Sequence, residues 1–144
     1  MSKSNYLENK VLEHFLSVSS TTMPSNIYLG ILSSVTTGTD SYTEIPATSY
    51  TATDGNGAVT AGSRPEITFG SALNGQISGP LSDIEFDNGS GSTFTVQGFA
   101  IYDSATSSGS NNVLYYGELS TDKDIDDGDS IRFEASNSIT ITEE

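Results

Sequence analysis

The sequence predicts a mainly β fold, an antiparallel β-sandwich or jelly-roll-like domain with one N-terminal α-helix. Three observations support this fold class. The chain has 144 residues and no cysteine, enough for a single domain over residues 1–144 whose core needs no disulfide. It contains 24 serines and 17 threonines, residue types that favour turns and, for threonine, strands. Short apolar runs recur in its last third, separated by polar turns.

Helical periodicity occurs in one segment, near the N-terminus. Its apolar residues share one face of a 3.6-residue repeat, which predicts a helix over about residues 5–18. Asn5 is the expected N-cap, with Glu8 three positions later, and the Ser/Thr-rich run 17–22 ends the helix. The helix must bury its apolar stripe on the sheet or on a partner. The residues of the stripe are Leu7, Val11, Leu12, Phe15 and Leu16.

The remaining elements are predicted to be strands and turns. Residues 27–32 form an apolar run that predicts a central strand. The stretch 33–62 has weak alternation and several turn residues, so an irregular loop or arm is expected there. Further strands are expected within residues 65–142, for seven or eight in all. Their inward positions are Ile67 and Phe69, Ile84 and Phe86, Phe94 and Val96, Phe99 and Ile101, Ile131 and Phe133, and Ile139 and Ile141. Nearly every position of 113–119 is apolar or aromatic, so both faces of that strand are expected to be covered.

One of these strands contains a change of phase. Its apolar positions run Phe94 and Val96 and then move to Phe99, so one residue near Gln97 and Gly98 must be extra. A β-bulge at this point would favour glycine, and Gly98 is therefore the predicted bulge residue.

The charge of the chain limits its partners. The formal net charge is −14, from 19 acidic and 5 basic residues. Nucleic-acid affinity comes mainly from Lys and Arg that neutralise phosphates, so no nucleic-acid partner is expected. No run approaches the roughly 20 apolar residues of a membrane helix, and the N-terminus has no apolar signal region. No membrane partner is expected either.

The polar residues do not form a recognisable catalytic set. His14 is the only histidine, and no neighbour in sequence would pair with it as a base or nucleophile, so an exposed helix residue is expected. Asp83 and Glu85 share one face of a strand. Two carboxylates would suit glycoside hydrolysis, but the polar face of an amphipathic strand is the favoured interpretation. The sequence therefore does not predict an enzyme.

The acidic run 122–129 resembles a calcium loop only at first sight. An EF-hand that begins at Asp122 needs glycine at position six and glutamate at position twelve, where this chain has Asp127 and Phe133. A solvated turn is favoured over a looser divalent-cation site. The Gly-x-Gly elements at 55–57 and 89–91 precede no helix pattern, so they are turns and not phosphate loops. No metal or cofactor is expected.

Six blocks of the sequence, the first of which is the N-terminal helix pattern, show a resemblance. The blocks are 6–16, 28–32, 67–70, 98–103, 114–119 and 128–133. In their order they resemble a family of small tailed-bacteriophage virion proteins, often labelled tail fiber proteins, some of which are similar to capsid cement or decoration proteins. The similarity extends over about residues 6–141. The chain differs from many relatives by lacking tryptophan before the block 98–103.

The resemblance implies a structural protein of the virion, made in the host cytoplasm. The favoured role is a cement protein on the outer capsid surface, a homo-oligomer and expected trimer that contacts the major capsid protein and copies of itself. The acidic charge and the absence of coiled-coil heptads favour this position over a long fiber. A tail, baseplate or tail-fiber component is the first alternative, and a glycan- or receptor-binding module is the second.

Five residues are candidates for the interface. Lys3 and Lys10 would pair with acidic patches on the capsid, although such surface pairs contribute little singly. Tyr6 lies between them on the predicted helix. Tyr115 and Tyr116 point to opposite faces of one strand and would stack on sugars in a glycan-binding module, whereas core packing plus an interface is the commoner fate of such a pair.

Overall fold

The computed structural model describes residues 1–16, 20, 22–107, 111–136 and 138–142. These residues form antiparallel strands and a single N-terminal α-helix, which confirms the predicted mainly β fold. The helix is α1 (Asn5–Phe15), and a 3-10 turn covers Ala47–Ser49. The strands are β1 (Ser2–Lys3), β2 (Ile27–Thr36), β3 (Ser41–Glu44), β4 (Tyr50–Asp54), β5 (Gly57–Ala58), β6 (Glu66–Ile67), β7 (Gln76–Gly79), β8 (Ile84–Asn88), β9 (Phe94–Tyr102), β10 (Val113–Ile125), β11 (Ser130–Phe133) and β12 (Ile139–Thr142).

The larger of the sheets has six strands. Five follow the order β1-β10-β9-β2-β3, and β6 also pairs with β2. The predicted central strand 27–32 is the first part of β2, which pairs with β9 along one edge and with β6 and β3 along the other. Leu29, Ile31 and Leu32 are fully buried there. The prediction of a central strand is therefore confirmed.

A second layer covers one face of this sheet. It consists of a four-stranded sheet in the order β11-β8-β4-β5 and a ribbon of β12 and β7. The core between the layers joins Leu29 and Phe99 of the larger sheet to Phe86 of the four-stranded sheet and Ile139 of the ribbon. Antiparallel layers that pack through alternating inward residues are a β-sandwich, as predicted.

The phase change in β9 is present, but the extra residues lie elsewhere. Val96 and Phe99 are both buried in the same core cluster, which confirms the slip. The irregular pairing, however, places residues 119–122 of β10 opposite the single residue Gln97 of β9. Glycine is required at Gly98 because a Cβ there would overlap the carbonyl oxygen of Gly117. The predicted bulge on β9 is thus corrected to an expansion of β10.

The stretch 33–62 is not an irregular arm. It contains the end of β2, all of β3, β4 and β5, and the 3-10 turn. Tyr50 and Ala52 of β4 are buried, and Ala52 lies opposite Phe86 of β8. The alternation is weak in the sequence because a small alanine and several threonines occupy a strand whose register is set by the larger residues of β8.

The helix α1 is anchored at its first turn. Its N-cap is Ser4 and not the predicted Asn5, because Asn5 is already helical. The buried Ser4 hydroxyl accepts a hydrogen bond from the Leu7 N–H at 3.2 Å and donates one to the Val113 carbonyl of β10. The predicted end of the helix at residue 18 lies outside the described residues. No helix that the structure describes is long and apolar enough to cross a membrane.

Candidate interface

The apolar stripe of α1 remains on the surface. None of the residues of α1 is buried. Leu12 is 58% exposed, Phe15 is 78% exposed, and Leu16, just past the helix, is 69% exposed. Exposed apolar groups that cluster in this way are typical of interaction sites. We define the α1 face by its exposed apolar residues, Val11, Leu12, Phe15, Leu16 and Met23.

A groove of about 330 Å³ lies between α1 and the loop that follows β9. Leu7 and Lys10 line its helix side, whereas Asp103 and Ser104 line its loop side. We call it the α1 groove; its other lining residues are Tyr6, Thr22, Met23, Pro24 and Leu114. A smaller hollow of about 160 Å³ lies beside Val11, Phe15 and Met23. The surface around α1 thus has both protruding apolar side chains and hollows that would receive them.

Two predicted interface residues, Tyr6 and Lys10, line the α1 groove. The Lys10 ammonium lies 2.8 Å from the Glu13 carboxylate, one helical turn away. This hydrogen bond, followed by the charge of Glu13, raises the pKa of Lys10. Because Lys10 already has a partner at the surface, its charge would add little to docking on an acidic patch.

Two others, Lys3 and Tyr115, lie opposite each other in the pairing of β1 with β10. Tyr115 lines an apolar cavity of about 310 Å³ between the larger sheet and the β7–β12 ribbon, together with Ile77 and Leu114. Leu114 also lines the α1 groove. Tyr6, Lys10 and Tyr115 therefore line two hollows that have Leu114 in common.

Tyr116, the fifth candidate, is buried within the subunit. It is 1% exposed and belongs to a second buried cluster, on the opposite face of the larger sheet from the main core. Its ring lies 5.2 Å from that of Tyr42, and its hydroxyl accepts the backbone N–H of Asp40 at 2.8 Å. Alternation along β10 turns Tyr116 away from Tyr115, as predicted, but the face it reaches is covered. Neither partner docking nor sugar stacking can use it in this conformation.

The other polar candidates take structural roles. His14 is exposed, and its ring lies edge-on to Phe15 at 5.6 Å. Glu85 accepts hydrogen bonds from Arg132 at 2.6 and 2.8 Å, and Asp83 lies 3.9 Å from the same guanidinium. These contacts agree with the polar face of a strand.

The acidic run after Thr121 is occupied by hydrogen bonds from the neighbouring strand. Thr95 donates to Asp124 and Thr93 donates to Asp126, each at 2.6 Å, and Gln97 donates to Asp122 at 3.2 Å. Among the described residues, no group of three or more His, Asp or Glu side chains could hold a metal ion. The run therefore stabilises the end of the β9–β10 pair.

The sequence carries only part of the signal for the α1 face. Periodicity marks the stripe of the helix, but it does not show that the sheet leaves the stripe uncovered. Met23, 73% exposed, stands out in sequence only as part of a break before Pro24. The distribution of charge offers a second signal. The first 39 residues carry two lysines and two glutamates, so the whole net charge of −14 arises from residues 40–144. The α1 face thus lies in the segment without net charge.

Comparisons with known proteins place the chain in a described family. A family model with the description "Podophage GP4 fiber I protein gp80" matches residues 2–142, which is nearly the whole chain. No curated protein matches it.

Proposed function

Because the chain belongs to the podophage GP4 fiber I protein family, we propose that it is a subunit of a virion fiber whose copies associate through the α1 face. It is a phage virion structural protein. The family description names a fiber, so it favours the tail-fiber alternative over the cement role that the sequence placed first. A position on the outer capsid surface has no support from this description.

The size of the fold explains why association would be required. A sandwich of 144 residues with an 11-residue helix has no long coiled coil or repeat array with which to extend alone. A fiber assembled from such subunits needs contacts between chains. The observation that supports the α1 face as one of these contacts is its exposure, since helices this short are marginal in water without a packed apolar face.

Charge favours a second copy as the occupant of this face. Two chains of net charge −14 repel each other, and the repulsion is smallest where the segment without net charge meets its counterpart. The interface core would then be apolar and poor in charge, as such cores are in stable assemblies. The expected trimer stays a prediction, and a measured mass would decide the number of copies.

Replacing Phe15 with serine tests this contact. Burying a phenylalanine side chain contributes about 1.5–3 kcal/mol, so Phe15→Ser is expected to weaken self-association by about tenfold or more. Because Phe15 is 78% exposed in the subunit, the melting temperature of the dissociated chain should change little. Sedimentation velocity over a concentration series measures the association, and it also gives the number of copies.

Leu73→Ser is the matched control, because Leu73 is 73% exposed but lies in the turn before β7, outside the α1 face. It should associate like the unaltered chain. If Phe15→Ser and Leu73→Ser behave alike, the α1 face is not the contact. Removing residues 1–4 would be a poorer test, since β1 and the Ser4 cap would be lost with them.

Electron cryomicroscopy of phage particles that lack the protein, after addition of the purified chain, tests the position in the virion. Added density is expected in fibers, and Phe15→Ser should reduce it while Leu73→Ser restores it. Density that repeats over the icosahedral lattice would instead support the cement role and contradict the fiber assignment.

A further inference from the structure

Arg64 is the one charged side chain among the described residues that is almost completely buried, at 2% exposure. Its Nε and Nη2 atoms donate to the two oxygens of Glu44 on β3, at 2.6 and 2.7 Å. Its Nη1 atom donates to the carbonyl oxygens of Ser104 and Thr106, at 2.8 and 3.2 Å. One guanidinium therefore joins the edge strand β3 to the loop that follows β9.

The surroundings of Arg64 are shaped to hold this guanidinium. Its central carbon lies 3.7 Å from the centre of the Tyr102 ring, a stacking contact that favours arginine over lysine. Burial, followed by the charge of Glu44, raises the pKa of Tyr102, so the ring stays neutral. Gly30 leaves room for the cluster, because a Cβ there would lie 2.7 Å from the Tyr102 ring and 2.9 Å from Glu44.

The loop that follows β9, which Arg64 holds, contributes the side of the α1 groove opposite the helix. Ser104 both accepts from Arg64 and lines the groove, and Asp103 lines it beside Ser104. Asp103 closes the base of the loop, since its carboxylate accepts the backbone N–H and the side-chain amide of Asn112, each at 2.8 Å. The Arg64 backbone N–H also donates to the Ala105 carbonyl at 2.7 Å.

From these contacts we infer that Arg64 is a positioning residue of the interface: it holds the loop segment 103–107, so that Asp103 and Ser104 form a preformed wall of the α1 groove for the second copy. The inference rests on the proposed association through α1. A preformed wall lowers the cost of ordering a loop when two chains meet. Arginine is required because a lysine ammonium cannot bind both oxygens of Glu44 and two loop carbonyls from one planar group.

Arg64→Lys tests this role while keeping the charge. Amide hydrogen exchange of a peptide that covers residues 103–107 is expected to accelerate by about tenfold or more, because the loop carbonyls lose their donor. Self-association measured by sedimentation velocity should weaken by about fivefold in the same samples. Arg132→Lys is the matched control, since Arg132 also binds a carboxylate through two nitrogens but lies on β11. It should change neither quantity.

Glu44→Gln serves as a second variant if Arg64→Lys does not fold, because an amide in place of the carboxylate loses one of the two acceptors that fix the guanidinium to β3, so faster exchange at residues 103–107 is expected here too. A folded variant with unchanged exchange at residues 103–107 would overturn the positioning role. Faster exchange with unchanged association would overturn the link to the interface. Both results concern Arg64 alone and leave the Phe15→Ser test unaffected. Normal self-association of Phe15→Ser would reject the α1 face as the contact, whatever the Arg64 variants show.

Discussion

At the scale of single residues, Gly98 illustrates how closely β9 and β10 approach. A Cβ at this position would overlap the carbonyl oxygen of Gly117 and lie 2.6 Å from Cγ1 of Val35. The carbonyl belongs to the backbone of a paired strand and cannot move without breaking the ladder. We therefore expect Gly98→Ala to lower the free energy of unfolding by about 2–3 kcal/mol, the upper part of the range for overpacked cores. Urea unfolding of the dissociated chain measures this loss.

Gly89→Ala is the control for that prediction. A Cβ added at Gly89 would have no atom within 4 Å, and Gly89 does not adopt a positive φ. Its replacement should change the free energy of unfolding by less than about 1 kcal/mol, and the reduced freedom of the unfolded chain would make the change favourable. Equal losses at Gly89 and Gly98 would show that close approach of β9 and β10 is not the cause.

Some contacts of single residues could not be predicted from the sequence. The sequence indicates that position 98 needs glycine, but it does not reveal why. The extra residues lie on β10, and the pairing of two strands cannot be deduced from the sequence of one of them. Likewise, alternation correctly separates Tyr115 from Tyr116. It does not reveal that Tyr42 covers the face that Tyr116 reaches. The four hydrogen bonds of the Arg64 guanidinium join residues up to 42 positions apart, and no local sequence pattern predicts them.

At the scale of elements, the attachment of α1 depends on Ser4. The Ser4 hydroxyl caps the helix and binds β10, so Ser4→Ala removes an N-cap and leaves the Val113 carbonyl without this donor. We expect a loss of about 1–2 kcal/mol in the free energy of unfolding, together with faster amide exchange in residues 5–15. Urea unfolding and hydrogen exchange measure the two effects.

Asn5→Ala separates this explanation from the cap that the sequence suggested. Asn5 is an exposed residue of the first helical turn, and its replacement should change the free energy of unfolding by less than about 0.5 kcal/mol. A larger loss for Asn5→Ala than for Ser4→Ala would return the capping role to Asn5.

Elements with strong apolar patterns were predictable, and elements built from small polar residues were not. The helix has a periodic apolar stripe and begins where the sequence predicts it, and β2, β9 and the final strands, which contain large inward residues, also lie where they are predicted. The segment 33–62 resembles an arm in sequence because β4 contributes Ala52 opposite Phe86, so the larger partner supplies most of the apolar contact. Strands of this kind form because they pair with other strands in the tertiary structure, and not because of their own sequence pattern.

At the scale of the whole molecule, the sandwich follows from composition and alternation, whereas the exposed face of α1 does not. An amphipathic helix packs on its own sheet only where no other element of the fold already packs on that sheet; otherwise its apolar face is left for another chain. Here β10 holds the residue that caps the helix, and the apolar side chains of the later helix residues are exposed. The family match supplies the fiber context, which the charge and size of a single chain had argued against.

The net charge of −14 leads to a prediction that distinguishes two modes of docking. If copies meet through the α1 face, salt screens the repulsion between their acidic bodies and strengthens association. We expect the association constant to rise about threefold or more as ionic strength increases from about 0.01 M to about 0.1 M, where the Debye length falls from about 30 Å to about 10 Å. Sedimentation velocity at several salt concentrations measures the trend. If Lys3 and Lys10 instead paired with acidic patches, the same increase in salt would weaken association, and Lys10→Gln would reduce this dependence. A falling association constant would therefore contradict docking through apolar contact, because burial of the α1 face gains nothing from low salt.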